Sequence, residues 1–192
     1  MTLTLETPSE VWSTDEIETI LHDSWRLDVN GWIFVQTRGG PYQRGFQNGY
    51  HLAHEILSII QTLRHYGEGA FNRNWDFFRE TGMRLYWPKL TEEYQNEIEG
   101  TRAGIQAVNV TGIDITDIVA LNGFFDTVSY HYSLKDKENQ HQPLGIGQEH
   151  CSALIATGNA TSDGKVVLAH NTWFTYMTGA GYNLIKRDSR GR

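Results

Sequence analysis

A chain of 192 residues points to one domain, or one domain with an appendage. Its 16 Lys and Arg against 23 Asp and Glu leave a formal net charge of −7, which argues against a nucleic-acid partner and against charge-driven attachment to anionic lipid. Hydrophobic residues at 39% and aromatics at 12% supply a real core, while no apolar run approaches the roughly 20 residues of a membrane span.

The opening MTLTLETPSEVW has neither a basic flank nor an apolar h-region, so no signal peptide is predicted and the default location is cytoplasmic. The sequons at Asn109 and Asn159 then carry little weight, because glycosylation needs the secretory route. Ser13 to Glu16 reads as a capping box, with Ile17, Ile20, Leu21 and Trp25 following at helical spacing. Trp32 to Thr37 is rich in β-branched and aromatic residues and lies between Gly31 and Gly39-Gly40-Pro41, so a strand is predicted near 31–37.

The clearest helix is predicted from about Gln47 to Tyr66, on a stripe of Leu52, Ile56, Ile59, Ile60 and Leu63, ended by Gly67 and Gly69. His51, His54 and Glu55 fall on its polar side. Without a third distant ligand they read as a solvated flank rather than a metal site. An aromatic helix from Trp75 to Trp87 stops at Pro88; its rings suit core packing, with an acyl pocket as the alternative. Thr91 caps the next helix, carrying Tyr94, Ile98, Ile105 and Val108. Asp114 or Thr116 caps another, with a stripe of Ile118, Leu121, Phe125 and Val128. Asn122 and Asp126 sit one turn apart, as a structural brace or an exposed pair.

Residues 133–150 are polar and almost free of bulky apolar side chains, so they read as a linker. Beyond them the period becomes β-like. Ser152 to Gly158 and Val166 to Asn171 flank a turn with Asp163-Gly164, a strong hairpin signal, and Leu184-Ile185 can begin a third strand. The predicted organisation is a mainly helical region at 1–132, the linker at 133–150, and the opening hairpin of a larger sheet at 151–192. A short hairpin cannot cover its own faces or edges, so the sheet reads as incomplete.

The one cysteine, Cys151, excludes an intrachain disulfide and a Cys-based zinc cluster. A lone Cys opening an apolar strand is ordinarily a small buried hydrophobe. Its place at the junction of linker and hairpin also fits a nucleophile exposed by self-cleavage. The Cys151 thiolate would attack the His150 carbonyl carbon, and water would release the linker. The freed α-amine, with an ordinary pKa near ~7.7–8.0, could then serve its own thiol as base.

HCSALIATG at 150–158, Asp163-Gly164-Lys165, and the run Val167 to Trp173 together resemble the nucleophile region of the phospholipase B-like and isopenicillin-N-acyltransferase-like families. These are autoproteolytic cysteine members of the N-terminal-nucleophile (Ntn) hydrolases. Arg44 to Tyr50 resembles their upstream Gly-rich signature, and Ile118 to Asp126 resembles the helix preceding their linker. The resemblance implies an α+β fold in which a helical region leads into the first strands of an Ntn-hydrolase αββα sandwich, here truncated. It implies a hydrolase or acyltransferase acting on small amide or acyl-ester substrates. Cys151, His170 and Asn171 would be catalytic, His150–Cys151 the cleaved bond, and Thr172 and Trp173 substrate-facing. No cofactor or metal is called for.

Bile-salt hydrolases and acid ceramidases carry Arg-Asn-x-Asp on the second strand. Here His170-Asn171-Thr172-Trp173 stands in its place, which weakens the case for carboxylate-tailed substrates. Because oxyanion donors of this fold lie partly beyond residue 192, the chain alone is expected to stay uncut and inactive. The alternative from another class is a catalytically inert helical binding module.

Overall fold

The computed structural model describes residues 12–135, 151–171 and 183–189. The fold is mixed α+β, with small sheets and a predominantly helical N-terminal region. Helix α1 (Thr14–Leu21) starts at the predicted capping box: the Ser13 hydroxyl accepts from the Glu16 amide, and the Glu16 carboxylate accepts from the Ser13 amide at 2.9 Å. It ends a turn earlier than the Trp25 spacing predicts. Trp25 instead opens strand β1 (Trp25–Val29), paired antiparallel with β2 (Trp32–Arg38). Asn30 and Gly31 form the turn, both at positive φ (50° and 82°), the geometry that two-residue hairpins require.

Helix α2 (Pro41–Phe71) is longer than its predicted span at both ends. Pro41 suits the first turn, where its missing N–H costs nothing. Leu52 departs from helical geometry (φ −122°, ψ 17°), which kinks the helix. Gly67 and Gly69 do not end it; the helix runs on to a left-handed cap at Asn72. Gly67 is needed for space, since a Cβ there would come within 2.7 Å of the Phe78 ring.

Helix α3 (Trp75–Leu85) begins at the Asn74 cap, and a 3-10 turn (Trp87–Lys89) follows around Pro88. Helix α4 (Glu92–Ala107) then packs along α2. Gly45 and Gly49 of α2 lie against the main-chain carbonyls of Glu97 and Thr101, while Gly100 and Gly104 of α4 lie against those of Tyr42 and Phe46. Both helices thus carry small-x-x-x-small spacing, and their backbones touch without intervening side chains. The Gly-rich stretch Arg44–Tyr50 has this packing role. Ile105 is in the core as predicted, but Tyr94 points outward, 58% exposed.

The single helix predicted after Gly112 is two: α5 (Ile115–Asn122) and α6 (Phe124–Lys135). The break at Gly123 shifts the helical phase. Phe124 is fully buried among Tyr66, Phe71, Trp75 and Phe78, whereas the predicted core residue Phe125 is 41% exposed. Helix α6 also takes in residues 133–135 of the predicted linker; residues 136–150 lie outside the described ones.

Strands β3 (Ser152–Gly158) and β4 (Gly164–Asn171) form the predicted hairpin, with β4 starting two residues before the predicted position. The third strand, β5 (Leu184–Ser189), does not extend that hairpin. It pairs in parallel with β2, placing Phe34 opposite Ile185 and giving the order β1-β2-β5. One face of this sheet, with Val35 and Thr37, is buried toward the helices. In-register partners on the other face form an apolar surface: Trp25, Leu27, Val29, Trp32 and Ile185 are each 41–53% exposed. Among the described residues, no helix is long and apolar enough to cross a membrane.

Candidate functional site

Cys151 is exposed and immediately precedes β3. The register places Ala153 opposite His170 and Ser152 opposite Asn171. Side chains alternate along a strand, and cross-strand partners share a face. Ala153 and His170 therefore lie on one face, and Cys151 stands just before the first paired residue. Asn171 lies on the opposite face with Ser152. The two predicted helpers, His170 and Asn171, thus lie on opposite faces. His150, Thr172 and Trp173 lie outside the described residues.

Both faces of the hairpin are apolar and open. Ile155, Val166 and Leu168 on the His170 face, and Leu154 and Val167 on the other, are 50–68% exposed. Near-continuous apolar strands of this kind belong to sheets covered on both sides. At the turn, Asp163 accepts from the Lys165 amide at 3.1 Å and pairs with its ammonium at 2.8 Å, which holds the Asp163 carboxyl below its usual range.

The flank at His51 and Glu55 is not solvated as predicted. His51 Nε2 meets the Ser24 hydroxyl at 2.9 Å, and Glu55 takes both terminal nitrogens of Arg26 at 2.7 and 3.0 Å. Burial, then the Arg26 charge, pushes the His51 pKa down. Burial is the largest influence on Glu55 and raises it, but the Arg26 hydrogen bonds, a backbone hydrogen bond and the Arg26 charge together outweigh it, and the carboxyl sits below its usual range. These contacts fasten β1 to α2. Among the described residues, no three His, Cys, Asp or Glu side chains are grouped as metal ligands.

A second site lies in the helical body. A cavity of about 480 Å³ opens between α2, α4, α5 and β5. Its floor is apolar, with Ile56, Ile98, Ile118 and Leu121. Polar groups converge from five elements: Asn48 of α2, Glu97 of α4, Asn122 of α5, Asp126 of α6 and Lys186 of β5. Asn122 donates to the Ile118 carbonyl at 2.8 Å, within its own helix, and does not brace Asp126. Glu97 is held by Arg44 at 3.0 Å and Lys186 at 3.7 Å. In the sequence, Asn122 and Asp126 stand out as a turn-spaced pair and Tyr94 by its place in the α4 stripe, whereas Glu97, Lys186 and Tyr86 carry no local signal. Asn48 sits inside the Gly45–Gly49 spacing, and that was its one available signal.

No protein-family model, curated protein or solved structure matches this chain.

Proposed function

We propose that this chain carries the nucleophile of an autoproteolytic cysteine hydrolase acting on amide or acyl-ester bonds. The observation that supports the reading is the exposed Cys151 directly before β3 of a hairpin whose second strand carries His170, opposite Ala153. In the maturation step the Cys151 sulfur attacks the His150 carbonyl carbon. The peptide C–N bond breaks, and the departing α-nitrogen takes a proton. Water hydrolyses the thioester, leaving a His150 carboxylate and a Cys151 with free thiol and free α-amine. In turnover the α-amine accepts the thiol proton and returns it to the leaving group. The acyl thioester is then resolved by water or an amine. His170 orients the scissile carbonyl, and Asn171 has a role only if the opposite face also borders the site.

The two open sheets support the αββα reading of the fold. The apolar face of β1-β2-β5 is free on the side away from the helices, and each face of the β3–β4 hairpin is apolar. Stacking one on the other gives a sandwich with a dry interior, spaced as two packed sheets are, about 10 Å apart. The hairpin's outer face then needs a further layer, which the reading assigns to polypeptide beyond the described strands.

The test uses the full-length protein. Mass sequencing should find Cys151 as a new N-terminus, and Cys151→Ala should abolish both cleavage and hydrolysis of N-acyl amides and aryl esters. An intact His150–Cys151 bond in active protein, or activity retained in the Ala variant, would overturn the proposal. The cavity in the helical body favours a second reading, a non-catalytic binding module. In that case the Ala variant would lose nothing.

A further inference from the structure

We infer that the cavity between α2, α4, α5 and β5 is a binding site for a small amphiphilic ammonium, an apolar chain or ring bearing one cationic nitrogen. The site is separate from Cys151: no residue of β3 or β4 lines it. The inference does not depend on the hydrolase reading.

The argument starts from charge. Among the described residues, three charged side chains line the cavity, Glu97, Asp126 and Lys186. Glu97 and Lys186 pair with each other, and Glu97 is held by Arg44 as well. Asp126 has no ion pair among the described residues. The lining charge without an ion pair among the described residues is therefore negative, and it lies on the first turn of α6. A carboxylate ligand would meet Asp126 as a like charge and find Lys186 already engaged. A neutral ligand would gain nothing from the Asp126 carboxylate.

The second part is shape and polarity. The floor is aliphatic and can take a hydrocarbon body. Tyr86 and Tyr94 stand in the lining, and their ring faces attract a cation, more strongly as it loses water. Tyr86 is fixed there. Its hydroxyl meets the Thr127 hydroxyl at 3.2 Å, and its ring lies against Gly123, where any Cβ would collide with it. The Asn48 side chain, half-buried in the lining, makes no hydrogen bond among the described residues, which leaves its carbonyl oxygen available to an N–H donor. An acidic group, aromatic faces and an amide oxygen over an aliphatic floor together match an alkylammonium or arylalkylammonium.

Calorimetric titration of the full chain with 4-phenylbutylammonium, 4-phenylbutanol and 4-phenylbutanoate separates the possibilities. The ammonium should bind with a Kd on the order of 0.1 mM, ordinary for a ligand of this size. The alcohol should bind about fivefold more weakly and the carboxylate more weakly still, the scale expected of a partly exposed ion pair. Asp126→Asn should bring the ammonium to the level of the alcohol. Tyr94→Leu should weaken the ammonium about threefold and leave the alcohol unchanged. Both residues are exposed, so neither change threatens the fold. Absence of ammonium binding, an alcohol or carboxylate that binds as tightly, or an Asp126→Asn variant with unchanged preference would each overturn the inference.

Discussion

The indole N–H of Trp75 donates to the buried carboxylate of Asp117 at 2.7 Å, joining the first residue of α3 to the first turn of α5. The same carboxylate accepts from the Asp114 amide at 2.9 Å and from Arg64 at 3.2 Å. One side chain thus caps α5, satisfies a buried indole and takes a cation from α2. Asp117→Ala leaves the indole N–H and the Asp114 amide unpaired and should cost about 2–4 kcal/mol. Asp117→Asn keeps one acceptor oxygen and should cost about half as much. Equilibrium denaturation in urea measures both.

The α2–α4 contact makes opposite predictions for two glycines of one helix. Gly45→Ala would set a methyl into the Glu97 carbonyl, so the helices must separate. The helix-propensity gain of about 1 kcal/mol is then outweighed, for a net loss of about 2 kcal/mol. Gly69 has open space around its Cβ position, and Gly69→Ala should gain about 0.5–1 kcal/mol. Melting temperatures that move the same way in the two variants would contradict the close packing.

Acid should loosen β1 in two steps. The folded His51 pKa lies below its ordinary value of 6.5, so its contribution is complete above 6.5 and is lost as pH falls through the folded value. The lowered Glu55 contributes in the same sense further down, complete above about 4.5 and lost as pH falls through its own folded value. Arg26→Gln removes the hydrogen bonds that lower Glu55 and the charge that helps lower His51. The Glu55 pKa should therefore rise markedly in that variant and that of His51 slightly. NMR titration of the two side chains reads both shifts directly.

The open apolar faces should bind a hydrophobic dye and promote association. Leu27→Thr with Trp32→Thr should reduce dye binding by the β1-β2-β5 sheet, and Leu154→Thr with Leu168→Thr should reduce it on the hairpin. Neither pair should lower the melting temperature of the helical body by more than a few degrees, because neither reaches its core. A wild-type chain that binds no dye and sediments as a monomer at high concentration would contradict the exposed faces.

Much of the fold could be read from local signals. The Ser13–Glu16 capping box, the Ile56–Ile60–Leu63 stripe, Asp114 and the β3–β4 turn each act within a few residues, and each is found where local chemistry puts it; Thr91 holds the N-cap position of α4 without a side-chain cap hydrogen bond. Asn30-Gly31 is an equally local hairpin signal, which the helical spacing of Trp25 hides. The Phe124–Phe125 exchange comes from a single break at Gly123 that periodicity cannot anticipate. The cavity as a whole had no local signature, because its polar groups come from five elements and single residues such as Asn48 or Asn122 do not show that they converge. The partner of β5 had none either, since parallel pairing needs no turn.

The β2–β5 pairing also bears on how the chain is made. Asn183 donates to the Gly31 carbonyl across 152 positions of sequence. During synthesis the helical body can collapse while β2 still lacks its neighbour on one side. The amides and carbonyls along that edge must wait until Leu184 to Ser189 have been translated and released. A strand rich in apolar residues with one open edge recruits other strands, so this interval is when nascent copies are most exposed to wrong pairing. Slow translation of the segment between β4 and β5 would lengthen the interval. A chaperone that masks Trp32–Arg38 would therefore raise the soluble yield more than one acting on the finished protein.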